Sequence, residues 1–313
     1  MDVWSTLCGA PELLGPRRVC FFQESFSMVR ASSKLPSKNV ILLNGAILLI
    51  VAASVITAFR STLFKPDAAA CSERYPRAVR LGLERGGQPL QSSDLQAIVG
   101  GTDWNLLENT RIVSLKAGPS AHAVEFKTVA SKQSSREDEG KAGVGFIWTP
   151  QAILNATGAC LAYSVFVPDD FDFGAGGRLP GLIDARKVAN PSKPEPVSTR
   201  IGWNDTGRLD LVVQSFEHAG GRPLGSDRHS ASLVRGKWTA IEQEVVLNTP
   251  GAADGIVRVW TNGKLAFERK DVVMRKTGEP LLSGVMSEVS ARPKQGMTLK
   301  PGAIWVSPYE LKW

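Results

Sequence analysis

The chain has 313 residues, 43% of them hydrophobic, and a formal charge of +7, which is length and apolar content enough to bury a sizeable core. The charge is uneven: residues 1–65 carry seven Lys or Arg against three acids, while beyond Lys65 thirty bases nearly balance twenty-seven acids. A nucleic-acid partner is therefore not favoured, since most of the excess flanks an apolar segment, where anionic lipid would attract it.

That segment is Val40 to Phe59, VILLNGAILLIVAASVITAF, with no charge and one amide. About twenty such residues suffice to cross roughly 30 Å of hydrocarbon as a helix. The reading is a basic N-terminal segment over 1–39, a transmembrane helix or signal anchor over 40–59, a linker over 60–70 and one domain over 71–313. A start at Met28 followed by signal cleavage is the alternative, giving a secreted protein. Against it, the apolar run is longer than a usual signal core, and Phe59-Arg60-Ser61 is not a small-x-small cleavage site. Arg30, Lys34 and Lys38 precede the segment and Arg60, Lys65, Arg74, Arg77 and Arg80 follow it, so positive charge does not fix the orientation. A single-pass protein with its C-terminal domain outside the cytoplasm is expected, because one helix near the N-terminus commonly acts as an uncleaved export signal.

Cys71 and Cys160 share a compartment, either as a disulfide or as two buried thiols. No CxxC or Cys/His cluster suggests a metal, and no cofactor is expected. Ser92 to Val99 can form a short helix capped at Ser92 or Ser93. From Ala121 onward, short β-rich runs alternate with turn residues: 121–127, 143–148, 161–167, 198–203, 208–216, 238–247, 255–261, 265–269 and 303–311. This is the pattern of a sandwich. Asn262-Gly263 predicts a two-residue hairpin. The polar stretch 130–141 and the proline-rich 191–196 read as loops.

Three motifs stand out. The first runs from Tyr163 through Pro168, Phe171-Asp172-Phe173 and Gly176-Gly177-Arg178-Leu179-Pro180-Gly181-Leu182; the second is Ser198-Thr199-Arg200-Ile201-Gly202-Trp203. The third spans Gly236-Lys237-Trp238, Asn248-Thr249-Pro250-Gly251, Asp254-Gly255 and Val259-Trp260-Thr261-Asn262-Gly263. In order and spacing they resemble polysaccharide lyase family 14. The resemblance covers about residues 140 to 275 and implies an all-β, jelly-roll antiparallel β-sandwich, here preceded by one N-terminal transmembrane helix. Each motif also has a packing explanation: the glycines serve turns, and Trp203, Trp238 and Trp260 are core candidates.

The family resemblance implies an acidic polysaccharide as partner and β-elimination as chemistry. Such a lyase must neutralise the uronate carboxylate, remove the C5 proton and protonate the departing O4. The implied substrate-binding positions are Arg178, where the family has lysine, with Ser198 and Arg200. The family's two tyrosines fall by spacing near Val212 and Gln214, neither of which exchanges a proton near neutrality. Gln214 can still hydrogen-bond a sugar. The remaining catalytic candidates are His218, expected in a loop after the cleft strand, and Tyr163, expected in a strand. Three readings stay open: a lyase with a changed proton-transfer set, a non-catalytic carbohydrate-binding descendant, and an envelope scaffold without a sugar site.

Overall fold

A computed structural model of the chain describes residues 39, 47–55, 69–100, 102–128, 143–185, 197–215, 218–223, 231–279 and 281–313. Two compact units divide it, 1–65 and 66–313. In the first, residues 47–55 are helical, and the rest of the apolar segment lies outside the described residues. Among the described residues no helix is long and apolar enough to cross a membrane. The two predicted loops, 130–141 and 191–196, also lie outside them.

Among the described residues the second unit is a sandwich of two antiparallel sheets, with a separate small ribbon of β2 (Glu84–Arg85) and β3 (Gln88–Pro89). Sheet I has nine strands, in the order β15 (Lys264–Val272), β14 (Gly255–Thr261), β13 (Lys237–Val246), β8 (Gly158–Val167), β17 (Gly302–Val306), β6 (His122–Thr128) and β5 (Thr110–Ser114). Beside β8, β18 (Glu310–Lys312) pairs in turn with β1 (Ala78–Arg80). Sheet II has seven: β12 (His218–Pro223), β11 (Leu209–Ser215), β10 (Ser198–Trp203), β9 (Gly177–Ile183), β16 (Gly284–Ala291), β7 (Val144–Trp148) and β4 (Asp103–Trp104). The core fills the space between them with alternate residues from both, including Phe126, Tyr163, Val165, Leu179, Ile201, Leu211, Val245 and Val285. Such alternation follows from the two-residue period of a strand, which sends successive side chains to opposite faces.

Local chemistry explains the elements. Asn262 and Gly263 both have positive φ (51° and 75°), as the tight turn between β14 and β15 requires, and the Asn262 carboxamide accepts from the Ala240 N–H at 2.9 Å. The helix Ser92–Val99 forms where expected, but Gln91 is its N-cap, in a capping box with Asp94. Ser92 instead donates its hydroxyl to the Thr110 carbonyl at 2.6 Å. The predicted single strand 303–311 is two, β17 and β18, separated at Ser307–Tyr309. Cys71 and Cys160 form a disulfide that fastens the start of the unit to the outer face of sheet I.

Candidate functional site

The site candidates lie on the face of sheet II turned away from the core, and a bulge between β9 and β10 places them there. The β9 strand contains Pro180, which has no N–H to offer a ladder. Its carbonyl instead accepts from the Tyr163 hydroxyl of sheet I at 2.9 Å. The register then shifts between Arg200 and Ile201: Arg200 faces Gly181, whereas Ile201 faces Leu179. Gln243 reaches across from β13 to satisfy the disrupted groups, accepting from Leu182 N–H at 3.1 Å and donating to the Thr199 carbonyl at 3.0 Å. Only glycine fits at 181, since a Cβ there would stand 1.7 Å from the Thr199 carbonyl oxygen.

Register places Arg178 opposite Gly202, two residues from Arg200 and so on its face, with Ser198 two residues before Arg200. Sequence reasoning thus brings Arg178, Ser198 and Arg200 to one surface. On β11, Val212 sits opposite Arg200 and Gln214 opposite Ser198, and neither is a tyrosine. The side chains of Gln214 and His218 lie outside the described residues. The backbone of His218 opens strand β12 opposite Ser215, a strand position where a loop was expected.

Tyr163 is elsewhere. Its ring is buried between the sheets, edge-on to Tyr309 at 5.7 Å, and burial raises its pKa well above the usual tyrosine value. Its hydroxyl supports the bulge from behind and has no access to the outer face. The family tryptophans divide similarly. Trp203 donates to the Phe173 carbonyl at 3.3 Å and Trp260 is buried under the disulfide, while Trp238 packs on Phe166 on the outer side of sheet I. Asn248 is a structural hub that accepts from Met274 and Arg275 N–H, both at 2.9 Å.

Sequence reasoning missed Glu288. From β16 its carboxylate forms an ion pair with Arg200 Nη1 and accepts from the Ser290 hydroxyl at 3.0 Å, while Met286 Sδ lies 3.7 Å from the same guanidinium nitrogen. The strand GVMSEVSA carries few large apolar residues, so it gave little signal as a buried strand. Arg200 is 12% exposed and Glu288 9%. Burial is the main cause lowering the Arg200 pKa; the Glu288 charge opposes it, and the Arg178 charge lowers it further. Two guanidiniums therefore act on one another here, one of them already neutralised. Arg200 Nε is buried without a hydrogen-bond partner among the described residues. Beside them Trp104 lies over Gly145, and it and Met286, both partly buried, cover a small buried cluster of Ile147, Ile183 and Ala185. Gly202 leaves the floor between Asp210 and Arg178 without a side chain.

What results is a set of polar groups on one face with Trp104 and Met286 as an apolar flank, a combination suited to a sugar chain, whose rings offer both C–H surfaces and hydroxyls. The one group of possible metal ligands among the described residues is Cys71, Cys160 and Glu242, and the disulfide leaves neither sulfur as a thiolate.

Comparison with known proteins agrees with this architecture. The family described as Polysaccharide lyase 14 matches residues 118–289. Among solved structures, the alginate lyase of Aplysia kurodai superposes with a TM-score of 0.57 at 20% identity, covering 76% of this chain and 98% of that one. An alginate lyase from Chlorella virus gives 0.54 at 19% identity, covering 70% and 96%. No curated protein matches the chain by sequence.

Proposed function

Starting from the chain's membership of polysaccharide lyase family 14, we propose that it recognises an acidic polysaccharide at the outer face of β9 and β10. The observation that carries this reading is the convergence of Arg178, Arg200 and Ser198 on one surface. Arg178 has no carboxylate partner among the described residues, and its planar fork suits a uronate carboxylate. The alginate lyases of similar fold support an acidic glycan as ligand class. The apolar segment 40–59 tethers the protein to a membrane, with the second unit outside the cytoplasm. Its disulfide supports an oxidising compartment.

Binding without turnover is the reading favoured by the chemistry. In β-elimination a base takes the C5 proton, the C5–H electron pair becomes the C4=C5 bond, the C4–O bond breaks and O4 leaves with a proton. Val212 offers no proton, Gln214 neither gives nor takes one near neutrality, and Tyr163 is sealed in the core. One observation supports elimination as a second reading: the Glu288 carboxylate, a group able to take a proton, stands on this face, and the backbone of His218 opens the edge strand β12.

Two assays with the full chain separate them. Retention of a polyuronate in affinity electrophoresis, lost in Arg178→Ala, supports recognition; equal retention by both proteins contradicts it. Rising absorbance near 235 nm, from the unsaturated uronate, would establish elimination, and its loss in both Glu288→Gln and His218→Ala would assign the proton-transfer groups.

A further inference from the structure

Glu288 occupies the guanidinium that an incoming carboxylate would otherwise take. It is not loosely placed: its second oxygen accepts from the Ser290 hydroxyl at 3.0 Å, and both members of the ion pair are almost fully screened from solvent. The two cationic side chains of the face thus differ. Arg200 carries an internal counter-ion, whereas Arg178, two register positions along and separated from Asp210 only by Gly202, has no ion-pair partner among the described residues.

Neighbouring sugars in a uniformly charged polyuronate bring a carboxylate on every ring. One would meet Arg178 favourably, and the next would find the Arg200 guanidinium already taken by Glu288 and lose its water without gaining a counter-charge. A sugar without a carboxylate meets no such penalty, since it brings no charge that must be matched there. The partly buried Met286 and Trp104 add apolar surface beside it. Leaving a competitor's charge unpaired and desolvated is a common source of specificity.

We propose that Glu288 is the specificity-determining residue of this face, selecting a glycan in which carboxylated sugars adjoin neutral ones over a polymer carboxylated on every ring. The proposal rests on the polysaccharide reading above. It names the ligand by charge pattern and is independent of whether turnover follows.

The test is titration of the full chain with a β-1,4-glucuronan hexasaccharide and with the same hexasaccharide after reduction of about half its carboxylates to alcohols. Wild type should bind the half-reduced chain more tightly. Glu288→Gln keeps the shape and an acceptor for Ser290 while freeing the Arg200 guanidinium, so it should bind the fully charged chain about tenfold more tightly, the worth of one added charge-assisted contact. Its affinity for the half-reduced chain should change little. The double variant Glu288→Gln/Arg200→Met, which leaves no buried orphan charge, should lose that gain and guards against misfolding of the single variant. Equal binding of the fully charged chain by wild type and both variants would overturn the assignment while leaving polysaccharide recognition intact. If no protein binds either oligosaccharide, polysaccharide recognition itself fails, and this assignment with it.

Discussion

Arg200 and Glu288 form a pair in which both charges have left most of their water behind, so neither can be removed alone without consequence. Breaking such a pair by deleting one partner costs about 3–5 kcal/mol, because the other charge stays buried and uncompensated. Arg200→Ala should therefore destabilise the second unit by that order, and urea unfolding should register it as a lower midpoint at unchanged slope. Arg178, without an ion-pair partner among the described residues, predicts the contrary pattern: Arg178→Ala should leave the unfolding midpoint within about 0.5 kcal/mol of wild type, as surface substitutions do, while weakening glycan binding. Gly181 is the third telling residue. A methyl group there meets a backbone oxygen that cannot move without opening the β9–β10 ladder. Gly181→Ala should cost about 3 kcal/mol, the upper end of ordinary overpacking, and displace Arg200 with it.

The β9–β10 bulge is held by two side chains from the opposite sheet, Tyr163 and Gln243, which makes the site's geometry depend on the core behind it. Gln243→Leu would leave the Leu182 N–H and Thr199 carbonyl buried without partners, at about 1–3 kcal/mol each. Hydrogen exchange should show it as lost protection at Leu182. On sheet I, Glu244 joins Arg74 and Arg258, and Arg258 bridges on to Glu268. Burial works against the Glu268 carboxylate, but hydrogen bonds from Arg258 and Lys270, together with their charges, outweigh it and hold its pKa below the usual range. A carboxyl depressed in the folded state stabilises fully above its unfolded value, about 4.3, and that contribution disappears as pH falls through the folded value. Thermal stability should thus be flat from pH 5 upward in this respect and fall below pH 4. Glu268→Gln should flatten that acid limb.

These elements also show what the sequence made legible. Strands β10 and β14 could be read to the residue, because β-branched and aromatic residues alternate cleanly and turn residues bound them. The strand β9, GRLPGLI, was hidden by glycine and proline, which ordinarily punctuate; here the bulge accommodates both. Edge strands β4 and β12 are short or glycine-rich and owe their pairing to neighbours, which local sequence does not record. Within the site, the motifs located Arg178, Ser198 and Arg200. Glu288 belongs to none of them and reaches Arg200 only by a side-chain ion pair across the intervening strand β9, from 88 residues away in sequence.

For the molecule as a whole, the disulfide closes a loop of 89 residues between the start of the second unit and its central strand β8. On chain-entropy grounds it contributes about 4–5 kcal/mol, so the Cys71→Ala/Cys160→Ala double variant should unfold at a markedly lower urea concentration and become insensitive to reductant. The same bond favours an export route and hence a ligand met outside the cell's reducing interior. The two sheets then act as a scaffold. Sheet I and the core residues it sends across, Tyr163 and Gln243, fix the bulge, and sheet II displays the consequence as a face on which, among the described residues, Arg178 has no carboxylate partner and Arg200 is paired with Glu288. The most direct test of that account is calorimetric titration of the full chain with a half-reduced glucuronan oligosaccharide, comparing wild type with Arg178→Ala. Binding by wild type and at least a tenfold loss in the variant, with unfolding unchanged, is the predicted result; equal affinity in the two proteins would contradict it.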